Sequence, residues 1–160
     1  MRVMLTALSI RDIVLIEKLD VALDKGLTVL TGETGAGKSI LLDALGLALG
    51  ARGDSSLVRA GAERGVVTAA FALPRSHPAF AILKEQGVDA DGELVIRRIQ
   101  NADGPSRAAI NDQPVSLNLL RQIAGALAEI HGQHADRALV DVTAHRRLLD
   151  AFGEIGRAHV

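Results

Sequence analysis

The sequence predicts an α/β fold with an antiparallel β subdomain, and three observations carry that prediction. A glycine-rich run, Gly32 to Ser39, stands between a short apolar, β-branched segment and an almost wholly apolar one of helical length. The thirty or so residues ahead of it read as a hairpin of strands. The residues behind it read as a meander of short strands closed by an amphipathic helix.

Each element has a local reason. Leu5 to Ile10 is apolar at most positions, Arg11-Asp12 is a polar break, and Val14 to Leu23 resumes the apolar pattern before Asp24-Lys25-Gly26 turns the chain, which predicts an antiparallel hairpin. Leu27 to Thr31, flanked by glycines, predicts a strand buried on both faces. Ser39 to Leu49 is apolar or Ala nearly throughout, with Gly50 and Gly53 as stop signals, and predicts a helix lying in the centre of the domain. Val66 to Leu73 predicts a strand, Pro78 to Gln86 a short helix, and Glu93 to Gln100 a strand whose exposed face carries Arg97 or Arg98. Asn101 to Pro105 is a turn, Arg107 to Ile110 another strand and Asn111-Asp112 a second turn. Ser116 has the chemistry of an N-cap ahead of Leu117, Leu119, Leu120, Ile123, Ala124 and Leu127, a helical spacing, and Thr143 to Phe152 predicts a last helix.

Composition narrows the function. With 160 residues the chain is long enough for one domain, or a part of a larger one, with a core of its own. Lys and Arg total 18 against 19 Asp and Glu, so no generic polyanion-binding surface is expected. There are no cysteines, which excludes disulfides and thiolate metal sites. The only aromatics are three Phe, too few for a base-stacking platform. No segment has the apolar length of a membrane span and the N-terminus lacks a signal-peptide layout, so the expectation is a cytoplasmic protein without membrane contact.

The chemistry lies in Gly32-Glu33-Thr34-Gly35-Ala36-Gly37-Lys38-Ser39, which matches the phosphate-binding P-loop pattern G-x-x-x-x-G-K-[ST]. Glycines let successive N–H groups point inward around phosphate oxygens. Lys38 supplies a point charge to the β- and γ-phosphates, Ser39 a hydroxyl to Mg²⁺, and the helix N-terminus a partial positive charge. From this chain's own residue frequencies a chance match is expected in roughly 0.3% of shuffled sequences. Candidate nucleotide-binding residues are therefore Gly32 to Ser39 and Ile40. Hydrolysis would also need an acidic Mg²⁺ partner at the end of a second apolar strand. No such strand is present; Leu139-Val140-Asp141 and Leu148-Leu149-Asp150 are too short or too helical. A small-molecule P-loop kinase, which should show alternating βαβ units, and a non-catalytic assembly or DNA-binding module are the alternatives.

Three stretches together carry a resemblance. Leu8-Ser9-Ile10, the run from Leu27 to Leu45 and Ala128-Glu129-Ile130-His131-Gly132-Gln133-His134 resemble the N-terminal part of the RecN family of bacterial DNA repair proteins, of the SMC-like branch of ABC-type ATPases. The likeness extends over about residues 4 to 153, including Arg52 to Arg59 and Arg107 to Val115. It implies an ABC/SMC-type head of which this chain is the N-terminal lobe, 1–153, ending where a coiled coil would begin. It implies ATP and Mg²⁺ as ligands, with Gln133 contacting Mg²⁺ and the attacking water beside Lys38 and Ser39. The implied partners are the C-terminal lobe of the same protein, which would bring the signature motif and acidic strand, a second head forming a homodimer, and DNA in the intact, nucleoid-associated protein. The implied activity is ATP-driven head engagement in double-strand break repair.

The remaining candidates are weaker. His131 and His134 have a spacing that metals accept, but no third ligand is evident, so they read as hydrogen-bonding residues beside the nucleotide. Arg52, Arg59 and Arg64 follow the loop helix, and Arg52 and Arg59 are candidates for DNA phosphates against the simpler reading of surface arginines. Arg97-Arg98 and Arg146-Arg147 read as solvated faces, and Asp43 as a support for the loop or a residue facing a neighbouring strand. Residues 154–160 read as a non-native tail, because Ile-Gly-Arg-Ala-His-Val is what one frame of a widely used sequencing-adapter oligonucleotide encodes.

Overall fold

The structure, a computed structural model, describes residues 3–31, 36–128 and 130. The first compact unit, residues 1–129, is built on one six-stranded antiparallel sheet. Its strands are β1 (Met4–Ile13), β2 (Ile16–Ala22), β3 (Arg64–Ala72), β4 (Glu93–Asn101), β5 (Ser106–Ile110) and β6 (Gln113–Val115). Their order across the sheet is β2-β1-β3-β4-β5-β6. The predicted hairpin is β1 with β2, in the register Ile10 opposite Leu19 and Ile13 opposite Ile16. The predicted meander is β3 to β5, to which β6 adds an edge strand. Asn111 and Asp112, both at positive φ of 47° and 62°, make the two-residue turn from Ile110 to Gln113. Positive φ at both positions matches the strand twist, and Asn and Asp tolerate it. The sequence pattern gave no warning of β6, whose Pro114 is compatible with a strand only at a sheet edge.

Period-two alternation sorts the sheet's faces. Leu8 and Ile10 on β1, Val67, Ala69 and Phe71 on β3, Leu94 and Ile96 on β4, and Ala108 and Ile110 on β5 are buried in one core. Helix α1 (Ala36–Ala48), helix α2 (Pro78–Glu85) and helix α3 (Leu117–Leu127) complete it with Ile40, Ala44 and Leu47, with Ala79 and Leu83, and with Leu120 and Ile123. Ser116 caps α3 as predicted, its hydroxyl accepting the Leu119 N–H at 3.1 Å. Removing that cap by Ser116→Ala should cost about 1 kcal/mol, read as a lower urea midpoint at unchanged slope.

Three expectations are corrected. Leu27 to Thr31 is not a strand buried on both faces: it has no regular structure, and Leu27 is 92% exposed, Val29 70% and Leu30 51%. A strand is buried on both faces only between neighbours in a sheet, and the antiparallel sheet of this unit does not take it in. For the same reason α1 does not sit at the centre. It lies on β3, β1 and β4 through Ile40, Ala44, Leu47 and Ala48, while Leu42 on its other side is 44% exposed. Finally, Arg98 is not on a solvated face. Arg97 and Arg98 do point opposite ways, but Arg98 follows Leu94 and Ile96 on the inner face and is 0% exposed. Its Nε donates to the Leu47 carbonyl at 3.1 Å, and these carbonyl partners at the end of α1 make an inward arginine possible.

The kinase alternative required parallel βαβ units, and every strand pairing among the described residues is antiparallel. The predicted helix Thr143 to Phe152, Arg146-Arg147 and the 154–160 tail lie outside the described residues.

Candidate nucleotide site

Helix α1 opens inside the glycine-rich motif. Its first turn is Ala36-Gly37-Lys38-Ser39, so the last four motif residues supply a helix N-terminus whose leading N–H groups have no intrahelical acceptor. That is the backbone arrangement an oxyanion requires, and the helix dipole adds to it. The first turn is accessible: Gly37 and Ser39 are exposed, and a Cβ on Gly37 would meet nothing within 4 Å. Lys38 is half-buried. The residues present therefore suit a phosphate and a hydrated divalent cation. Gly32, Glu33, Thr34 and Gly35 lie outside the described residues, as do Gln133, His131 and His134.

Two sequence candidates stand differently from their reading. The Ile40 side chain is buried in the core. Asp43, four residues beyond Ser39, is exposed on the same side of α1. Among the described residues no cluster of His, Asp or Glu suits a metal ion, and no helix is long and apolar enough to cross a membrane.

The arginines after α1 separate. Arg52 is exposed ahead of a short 3-10 turn, Ser55–Leu57, whose N-cap is Asp54. The Asp54 carboxylate accepts the Ser56 N–H at 2.8 Å, and that bond holds its carboxyl below the usual carboxylate value. Arg59 is engaged with acids: its guanidinium lies 3.1 Å from Glu17 and 3.9 Å from Asp12. The backbone fastens the same region to the β1–β2 connection, with Arg59 N–H bonded to the Asp12 carbonyl and Val14 N–H to the Leu57 carbonyl, each at 2.9 Å. Arg64 is exposed at the start of β3. The residue that sequence reasoning placed wrongly is Arg98, and the signal was available, since the alternation Leu94, Ile96, Arg98, Gln100 puts it on the inner face.

The comparisons with known proteins agree with this geometry. The chain is 49% identical, over 93% of its length, to the DNA repair protein RecN of Halalkalibacterium halodurans, and it spans 26% of the length of that relative. Its fold is that of SMC heads. The Smc head domain with a coiled coil and joint derived from Pyrococcus yayanosii superimposes with a TM-score of 0.70 at 21% identity, covering 96% of this chain and 32% of that one. A structure reported for the ATP-driven dimerization and DNA-stimulated activation of SMC ATPases gives a TM-score of 0.64 at 23% identity, covering 95% of this chain and 99% of that one. The resemblance to RecN and the expectation of an SMC-type head fold are thus borne out. The family described as the AAA domain matches residues 7–125, from the first turns of β1 pairing through the P-loop and the meander to α3, and the chain belongs to that family.

Proposed function

We propose that this chain is the ATP-binding N-terminal lobe of an SMC-like ATPase head acting in the recombinational repair of DNA double-strand breaks. The observation that carries the reading is the start of α1 within the P-loop motif, which puts Lys38 and Ser39 on a helix N-terminus open to a ligand. Gly32 to Ser39 would hold the phosphates, and Ser39 and Gln133 would hold Mg²⁺. The metal, when bound, would neutralise phosphate charge. Lys38 adds a fixed positive charge, and Gln133 would orient water. The similarity to RecN supports a role in DNA repair.

Among the described residues there is no strand ending in the acid that hydrolysis needs, which supports hydrolysis by the intact protein, with a C-terminal lobe completing the head and a second head closing the site. The exposed Leu27, Val29, Leu30 and Leu42 support a lobe that covers them, because apolar side chains of this size gain from burial. Contact with DNA through Arg52 is open as the structure stands. Contact through Arg59 would first have to compete with Asp12 and Glu17.

Calorimetry with Mg-ATP and a turnover assay test the reading together. The chain should bind Mg-ATP without turning it over, and turnover should begin when a separately expressed C-terminal lobe is added. Turnover by the chain alone, with phosphate passed to a small acceptor, would instead establish a kinase.

A further inference from the structure

The far end of α1 holds an arrangement that nothing in the phosphate site requires. Two arginines from different elements converge on the carbonyls there. Arg98, from β4, donates Nε to the Leu47 carbonyl at 3.1 Å and Nη2 to the Ala51 carbonyl at 3.4 Å. Arg121, from α3, donates Nε to the Gly50 carbonyl at 2.9 Å. Carbonyls at a helix C-terminus run short of intrahelical donors and carry the negative end of the helix dipole, so cations suit them; the Leu47 carbonyl also accepts the Gly50 N–H at 3.1 Å. The fit is close. Gly50 has φ of +93°, and a Cβ there would stand 2.9 Å from Arg121 Cγ, so both the conformation and the space call for glycine.

The arrangement is expensive for the fold. Arg98 is fully buried, and none of the ion pairs among the described residues supplies it with a carboxylate. Its Nη1 has no hydrogen-bond partner among them either. Burial, and secondarily the charge of Arg121, makes the protonated guanidinium harder to keep. An apolar side chain of similar length would fill the space with less desolvation. What it could not do is bind both the Leu47 carbonyl on the last turn of α1 and the Ala51 carbonyl just beyond it, which ties that end of the helix to β4.

We propose that Arg98 is a positioning residue for nucleotide binding, which with Arg121 holds α1 from its C-terminal end and so sets where Lys38 and Ser39 stand at the other. The proposal rests on the reading of the α1 N-terminus as the phosphate site. The lever is long: α1 has 13 residues. A helix of that length is about 20 Å long, so a tilt of about 3° moves its first turn by about 1 Å. Displacements of that size are enough to disable a preorganised site. Arg121 ties the same end of α1 to α3.

The test uses the full chain with Arg98→Met, Arg98→Lys and Arg121→Gln, all measured well below their melting temperatures so that only folded protein is compared. Mg-ATP binding is read by calorimetry, stability by thermal unfolding, and the first turn of α1 by amide hydrogen exchange over Gly37 to Leu41. Arg98→Met should leave Tm unchanged or raise it while weakening Mg-ATP binding about tenfold, the size of effect seen when outer-shell supports are removed. Exchange over Gly37 to Leu41 should quicken, and Arg98→Lys should recover part of the affinity. Affinity within twofold of wild type, with or without a fall in Tm, would mean a purely structural arginine and overturn the proposal. Should Arg98→Met not fold, Arg121→Gln carries the same expectation and the same refutation. Should the wild-type chain not bind Mg-ATP, the functional reading fails by itself, and the exchange rates still decide the clamp: faster exchange in the variants supports it, unchanged exchange overturns it.

Discussion

Replacing Lys38 by Ala should weaken Mg-ATP binding by about 10- to 100-fold while leaving the thermal unfolding of the chain within a degree or two. The expected loss follows from what the ammonium contributes. A charge-assisted hydrogen bond to phosphate is worth ~1.5–3 kcal/mol, and each ~1.4 kcal/mol is a factor of ten in affinity. The rest of the site, backbone N–H groups and the helix N-terminus, would survive the substitution, so binding should weaken rather than vanish. Lys38 is half-buried on the first turn of α1 and outside the hydrophobic core, so its truncation opens no cavity in the packed interior. Calorimetry at matched ionic strength gives the affinity, and the salt matters because a point charge on phosphate is screened. Equal affinity in the variant and the wild type would remove the P-loop reading.

Much of this fold was legible because local signals and tertiary packing agree. The hairpin, the β3-to-β5 meander, α2 with Pro78 at its first turn and the Ser116 cap of α3 all depend on residues near in sequence. The P-loop was legible for another reason: its chemistry demands particular residues at fixed spacing, so eight positions identify it wherever they occur. What was not legible depended on partners. Leu27 to Thr31 carries the composition of a buried strand, but composition does not show whether a sheet is present to receive it. The all-round apolar character of α1 suggests central burial, whereas one side lies on the sheet and Leu42 stands outside it. Arg98 failed for the opposite reason. Its charge points outward where the alternation points inward, and the carbonyls that accept its N–H groups, at and just beyond the end of α1, lie some fifty positions earlier in the chain.

That unmet burial leads to the other large effect. Changing Leu27 and Leu30 together to Glu should leave Mg-ATP binding and Tm close to wild type, yet abolish the turnover that an added C-terminal lobe is expected to switch on. Both side chains are already largely in water, so replacing them takes no contact from the core of residues 1–129. Covering a fully exposed leucine is worth about 1.5–3 kcal/mol, and Leu30 is 51% exposed, so the two account for ~2–4 kcal/mol of association, or roughly 30- to 1,000-fold in affinity. Glutamates at the same positions would add the cost of burying charge. The measurement is a titration of the lobe against the double variant, following turnover and, separately, association by ultracentrifugation. A variant that associates and turns over like wild type would show that Leu27 to Thr31 is not where the second lobe docks. If association is lost and Mg-ATP binding kept, the two functions of the segment separate: the P-loop holds the nucleotide within this lobe, and the apolar run ahead of it belongs to a sheet that only the assembled head contains.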